Sequence, residues 1–512
     1  MRRKWKIACA ALALALAASA DRPLHAGGDE VRERVARAHE LTTTMDLDLA
    51  TRELEAVDPE DPSVAVARGR LAIFSGDCDL ASALLGRKDI AADEDVRSLA
   101  DIARGCARVT AATVLESDPA RGLEVRFQDE NDRALFPLLA ETVVRAREML
   151  TRELGVDWPK PTRVVVVADH ASLSAMTGLP YEDARKTGTV AVAKWGKVTL
   201  LSPRAAFHGY SWRDTVTHEM THLAITRASG DRAPLWLQEG LAKRQEVRWR
   251  PPGPFDDRPT PESLVQRGME RKLDIPLDKL GPSIAMLGSA DAALVAFAEV
   301  TSFVRYFGEQ SSPDAIPKLL LALRKGKSVD DSLREVSGRD LRGWDLEWRA
   351  MIARRPKEPL SSLYGLGPPP KGMKDNRERV RLAELLLYRD HPRASLLEAR
   401  QVGAELSADP GFRYVKGRAL EATEKEPEAR ALVAEPRDVT MAYAPWWALR
   451  GRLARAPGDV PADLAMAELS FAEALAHDPF DPEAACESLT PPSTPNSLCA
   501  AALAKGTENT VH

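Results

Sequence analysis

The chain has 512 residues, with 71 Lys and Arg against 76 Asp and Glu and a net charge of -5. That length suffices for roughly two to four domains with a sizeable core. The near balance of charge, with no basic patch carrying interleaved aromatics, excludes nucleic acid as an expected partner.

From the start, Met1-Arg-Arg-Lys-Trp-Lys6 is positively charged, Ile7 to Ala18 is an Ala/Leu-rich run, and Ala18-Ser-Ala20 is a small-residue cleavage site before Asp21. These are the parts of a secretory signal peptide over residues 1–20; an uncleaved anchor is the alternative. No later segment reaches the roughly 18 apolar residues of a span, so no stable membrane insertion is expected after cleavage. The expected location is secreted or periplasmic. Beyond the signal stand Cys78, Cys106, Cys486 and Cys499, two local pairs without metal-ligand spacing. Two structural disulfides in an oxidising compartment are expected, with four buried thiols as the alternative.

Residues 29–115 are Ala/Leu/Arg/Glu-rich and read as helices throughout. Ala65 to Leu84 forms a helix, a Gly76-Asp77 turn and a second helix, and with Ala56-Val-Asp-Pro59 before it resembles part of a tetratricopeptide repeat. An irregular helical bundle is the alternative. The period then changes. Leu123 to Phe127 alternates as a strand, Arg133 to Leu154 is an amphipathic helix, and Arg163 to Val167 is a short buried strand. Val190 to Val192 and Lys197 to Leu201 are two more strands, joined as a hairpin through Lys194-Trp-Gly196.

The most informative stretch is Asp214-Thr-Val-Thr-His218-Glu219-Met-Thr-His222-Leu-Ala-Ile-Thr226. On a helix, positions i and i+4 share a face, so His218 and His222 present imidazole nitrogens to one ion. Glu219 points to an adjacent direction, suited to taking a proton from water. A catalytic zinc site has three protein ligands and an open position. Ile225 and Ala228 exclude a histidine-rich extension of the motif. Instead Gly230 ends the helix and Pro234 begins another. An antiparallel return brings Glu239 beside the two histidines, giving a His₂Glu site.

H-E-x-x-H followed by Pro234, Trp236, Leu237, Glu239, Gly240, Leu241 and Ala242 resembles the gluzincin zinc metallopeptidases, in particular the bacterial peptidase MA-like group. The resemblance implies one zinc per chain at His218, His222 and Glu239, with Glu219 as general base. It also implies an α+β fold, in which a zincin-like domain over 120–355 combines a small mixed sheet with active-site helices. In that fold an edge strand bordering the cleft pairs with extended substrate, and Lys197 to Leu201 is the candidate. Relatives usually have Tyr where Phe297 stands. His208, Tyr210 and Tyr306 are substitute oxyanion donors by residue type only, and ordinary packing or solvent exposure is the simpler account of each. Glu246, seven residues past Glu239, reads as a surface carboxylate, with orienting a ligand as the alternative.

Pro251 to Pro261 reads as an exposed loop, Ala292 to Phe307 and Ile316 to Leu323 as helices, and Trp344 and Trp348 as core residues one turn apart. Residues 356–376, with Gly365 to Gly372, form a linker. Residues 377–505 return to helices. Asp409-Pro410 and Asp478-Pro479 each follow a helix end, sixty-nine residues apart, close to two tetratricopeptide periods of about 34 residues. Trp446 and Trp447 belong at a helix packing seam. Pro491 to Pro495 belong to a polar tail tied back by Cys486 and Cys499.

The expected function is a zinc-dependent peptidase acting on a peptide or protein substrate, with helical repeats available to protein partners. The alternatives are an inactive zincin-like binding module with a structural zinc, and a plain repeat scaffold.

Overall fold

The computed structural model describes residues 29–90, 93–206, 208–253, 256, 258–281, 283–360, 366, 371–435, 443–456, 461–487 and 498–503. The expected signal peptide, most of the Gly365 to Gly372 segment and the Pro491 to Pro495 tail lie outside these residues.

Five helices come first: α1 (Asp29–Thr43), α2 (Leu47–Glu55), α3 (Pro62–Ser75), α4 (Cys78–Leu85) and α5 (Glu94–Ala111). Helix α3 opens on Asp61, whose side chain accepts the Ser63 N–H, with Pro62 in its first turn. Both features satisfy or remove amides that a helix start leaves without partners. The Gly76-Asp77 turn then leads into α4, as the sequence implies, and a Cys78–Cys106 disulfide joins α4 to α5.

A five-stranded mixed sheet follows, built from β1 (Val114–Asp118), β2 (Leu123–Phe127), β3 (Thr162–Val167), β4 (Ala191–Lys194) and β5 (Lys197–Leu201). Its order is β1-β2-β3-β5-β4. The inner pairs β2–β3 and β3–β5 are parallel, and the outer pairs β1–β2 and β4–β5 antiparallel. Helix α6 (Phe136–Leu154) connects β2 to β3, while α7 (His170–Thr177) and α8 (Tyr181–Thr187) connect β3 to β4.

Two expectations are corrected here. Strand β1 lies partly in a stretch read as helical; its Val-Leu-Glu-Ser-Asp sequence is mostly exposed and lacks the alternation that marks a half-buried strand. The open edge beside the site is β4, not Lys197 to Leu201. Strand β5 has a neighbour on each side and every residue buried, which is the signature of an inner strand covered on both faces.

The next layer contains α9 (Trp212–Ser229), α10 (Leu235–Gln245), α11 (Pro261–Glu270), α12 (Ala290–Gln310), α13 (Ala315–Arg324), α14 (Val329–Ser337) and α15 (Leu341–Arg354). Trp236, Phe303 and Trp348 meet edge to face at 5.2 and 5.8 Å, stapling α10, α12 and α15 together. Trp344 and Trp348 are core residues, 2 % and 0 % exposed.

The last part is helical: α16 (Met373–Tyr388), α17 (Pro392–Arg400), α18 (Pro410–Ala422), α19 (Glu426–Val433), α20 (Ala444–Arg455), α21 (Leu464–His477), α22 (Pro482–Glu487) and a short helix over 498–503. Asp409-Pro410 opens α18, with the Asp409 side chain accepting the Phe412 N–H. Asp478-Pro479 does not open a helix; its carboxylate caps a turn at Phe480, and Asp481 starts α22 instead. Trp446 and Trp447 sit at a seam between helices, and a Cys486–Cys499 disulfide closes the end. No described helix is long and apolar enough to cross a membrane.

Candidate metal centre

Helix α9 turns Val216, Met220, Leu223 and Ala224 into the core, which leaves His218, Glu219 and His222 on its other side. It ends at Gly230, and α10 begins just after Pro234. In α10, Trp236, Leu237, Leu241 and Ala242 are buried, so the helix has little freedom to rotate. Gly240 sets its depth. A Cβ there would stand 2.5 Å from the Val300 carbonyl of α12, so only glycine lets the two backbones approach this closely.

The result is convergence. The Nε2 atoms of His218 and His222 lie 3.2 Å apart, and each is 3.7 Å from Glu239 Oε2. Among the described residues these three side chains form a group able to hold a metal ion. Ligands of a tetrahedral zinc with bonds of ~2.1 Å stand about 3.4 Å apart, so the three donors already have the spacing such an ion requires. Their side chains are 15–19 % exposed, desolvated yet open to a small molecule.

Outer groups aim the rings. His218 Nδ1 lies 3.0 Å from Glu246 Oε2, and Lys243 Nζ holds the other oxygen of Glu246 at 2.8 Å. His222 Nδ1 lies 3.3 Å from Gln238 Oε1. Outward donation from Nδ1 would leave each Nε2, which faces Glu239, as the nitrogen available to a metal ion. Glu246 is thus no surface carboxylate: its side chain is 22 % exposed and buttresses His218. The signal lay in the seven-residue spacing, two helical turns on the Glu239 face, but nothing local reveals that His218 stands opposite.

The charges reinforce one another. Burial alone would lower the His218 pKa, but Glu239 and Glu246 outweigh it and push it up to about 10. Burial would raise Glu246, yet Lys243 and His218 bring it down to about 2. Burial likewise opposes ionisation of Glu239, and the two imidazoles hold it below its ordinary value. The pocket favours a cation at its centre.

Glu219 is placed differently. Its Oε2 accepts the Ala193 N–H at 2.6 Å, so it lies against the open edge of β4. Asp214, one turn before His218, accepts from Trp249 Nε1 at 2.8 Å and from Arg250, which also pairs with Asp256. The start of the Pro-rich loop is therefore tied to α9. Phe297 packs on the main core. The Tyr210 hydroxyl donates to the Leu201 carbonyl, Tyr306 packs edge-on against Trp344, and His208 packs at a tilt against Tyr443, ring centroids 4.5 Å apart.

Residues 144–354 match the family model of the Peptidase MA superfamily. The matched stretch carries β3 to β5 and all of α9 to α15, and with them every residue of this centre. It is similar to peptidases of that superfamily. No curated protein matches the chain.

Proposed function

We propose that this chain is a zinc-dependent peptidase, with one zinc held by His218, His222 and Glu239 and with Glu219 as general base. The observation that carries the reading is the meeting of two Nε2 atoms and one carboxylate oxygen at tetrahedral spacing, inside a stretch similar to peptidases. When bound, zinc supplies Lewis acidity that acidifies water and polarises a peptide carbonyl. Glu219 takes the proton from the attacking water and returns it to the leaving amine. The Ala193 N–H holds that carboxylate at the sheet edge beforehand. An extended peptide adding to the open edge of β4 has its scissile bond laid past Glu219.

Zinc content and peptide-library hydrolysis of three proteins test this. Wild type binds one zinc and cleaves. Glu219→Gln keeps the zinc and loses roughly 10²- to 10⁴-fold in turnover. Glu239→Ala loses the metal. Undiminished turnover in zinc-loaded Glu219→Gln would defeat the mechanism, and equal zinc in Glu239→Ala would remove that residue from the ligand set. Glu246→Gln should weaken zinc affinity about 10- to 100-fold, because His218 loses the group that orients it.

One observation favours a second reading, a peptide- or protein-binding module with zinc as a staple. Phe297 cannot donate to an oxyanion, and Tyr210, His208 and Tyr306 are engaged with other partners. Zinc bound at stoichiometry with no peptide cleaved would select it.

The wider organisation is proposed on the same basis: a peptidase domain over 120–355, and helical-repeat flanks over 29–115 and 377–505 that are available to protein partners, the second joined through 356–376. The two disulfides point to an oxidising compartment outside the cytoplasm. A cleaved signal over 1–20 and a secreted or periplasmic location accord with them.

A further inference from the structure

The turn between β4 and β5 is built against its own local preference. Lys194 pairs with Lys197, leaving Trp195 and Gly196 as a two-residue loop. Both have positive φ, 56° and 67°, the geometry of a type I′ turn. Such a turn favours Asn-Gly or Asp-Gly, and a tryptophan in the left-handed region is held there by something else. The N-terminal helices do the holding. Trp195 is 8 % exposed and meets Phe74 of α3 edge to face at 6.0 Å, with the Arg70 guanidinium 5.8 Å from its ring. A Cβ on Gly196 would stand 2.8 Å from Phe74. The fully buried Lys197 donates from Nζ to the Ile73 carbonyl at the end of α3.

The same unit reaches a second point. Arg227, in the last turn of α9, donates to the Thr44 carbonyl and pairs with Asp46 at 2.8 Å. The N-terminal helices therefore hold both the turn that ends the strand carrying Ala193 and the helix that carries Glu219. That strand and that helix are the two elements joined across the site by the Ala193–Glu219 hydrogen bond.

We propose that the N-terminal helical unit is a brace for the catalytic cleft: by anchoring Trp195 and Lys197 at one end and Arg227 at the other, it sets the position of the β4 edge relative to Glu219. Trp195 and Lys197 are then positioning residues, acting through β4 on a substrate they do not touch. The reasoning is mechanical. Strand β4 has four residues and one neighbour, and a short edge strand of this kind opens readily unless something outside the sheet restrains it. Lys197 is part of that restraint. Burial and the nearby charges of Arg163 and Arg126 push its ammonium down to about 7, and its Nζ is tied to the Ile73 carbonyl of α3. The proposal rests on the peptidase reading for its kinetic consequence, and not for its structural one.

The decisive variant is Trp195→Asn in the full-length, zinc-loaded protein. It places Asn before Gly196, the strongest local signal for this turn, so the hairpin keeps its own reason to form while its anchor is removed. Zinc stoichiometry should be unchanged. Hydrogen exchange at the Ala193 amide should speed up at least about tenfold. The value of kcat/KM should fall roughly ten- to a hundredfold, mainly through KM, because the edge that receives substrate has moved. A mere loss of folded enzyme would instead lower kcat at constant KM. Trp195→Phe should restore both readouts, and Lys197→Met should reproduce the defect in milder form. Wild-type exchange at Ala193 in Trp195→Asn, or faster exchange with unchanged kinetics, would overturn the proposal. If wild type cleaves no peptide, the peptidase reading fails while the exchange of Ala193 still decides whether the brace exists.

Discussion

The two helical flanks meet the central sheet and helices by different means. In the N-terminal unit, Met45, Ile73, Phe74 and Leu85 belong to the same continuous buried cluster as β2, β3, β5 and α9. The C-terminal unit has a core of its own around Trp446, Trp447 and Phe471. It meets the rest through polar contacts to the segment before α9 and through a smaller apolar contact at its end. The Tyr210 N–H donates to the His477 carbonyl at 2.9 Å, Ser211 Oγ lies 3.2 Å from His477 Nδ1, and Arg204 donates to the Ala501 carbonyl at 2.8 Å. Phe480, Ala485, Leu498, Ala501 and Ala502 belong to the main buried cluster. Shared apolar packing couples the stability of two regions, and a seam with less of it and a core of its own behind it lets one open more readily without the other. The first flank should therefore be part of the site's rigidity, and the second a body that docks beside it.

The largest effects test whether those cores are as separate as they look. Phe74→Ala should cost about 3–5 kcal/mol and should lower the urea midpoints of sheet unfolding and metal release together. Trp446→Ala carries a similar cost, but its effect should be confined to the C-terminal helices, splitting the urea curve into an early step without metal loss and a later one with it. Coincident movement of both steps would break the distinction. A smaller effect is expected at the seam itself. Gly209 has a φ of +73°, and a Cβ there would lie 2.5 Å from the His477 carbonyl oxygen. Gly209→Ala should weaken docking by about 1–3 kcal/mol, seen as faster hydrogen exchange over 477–481 with zinc content unchanged.

The smallest effect is a pH dependence. Burial, with the charge of Arg250, pushes His477 down to about 4. Above its unfolded pKa of about 6.5 the ring is neutral in both states; as pH falls below that, the unfolded chain takes a proton the native one refuses, and stability is lost progressively down to about pH 4. Relative to His477→Gln, wild type should lose about 1 kcal/mol by pH 5.5, read from urea midpoints of the C-terminal step. A pH-independent difference would mean that His477 is not the titrating contact.

Much of the site was legible from about thirty residues. The i, i+4 spacing of His218 and His222, the break at Gly230 and Pro234, and the return that carries Glu239 are local features, and helix geometry alone converts them into a shared face. The strands β2, β3 and β5 were legible too, because alternation and short buried runs mark a strand wherever it finally sits. Their neighbours were not. Period-2 patterning says which residues face the core but not which strand pairs with which, so β5 was expected at the edge that β4 occupies. Strand β1, mostly exposed with Val114 and Leu115 side by side, left no alternation to read.

By itself, then, the sequence determined the convergence of His218, His222 and Glu239, the α+β character, the paired cysteines and the helical character of the flanks, since each depends on spacing, composition or chain neighbours. Tertiary structure alone decided that Glu246 supports His218, that Ala193 meets Glu219, and that Phe74 and Arg227 fasten the N-terminal helices to both sides of that contact. These pairs are separated by between 26 and 183 residues. At such distances a contact follows from how whole elements pack, and no local pattern encodes it.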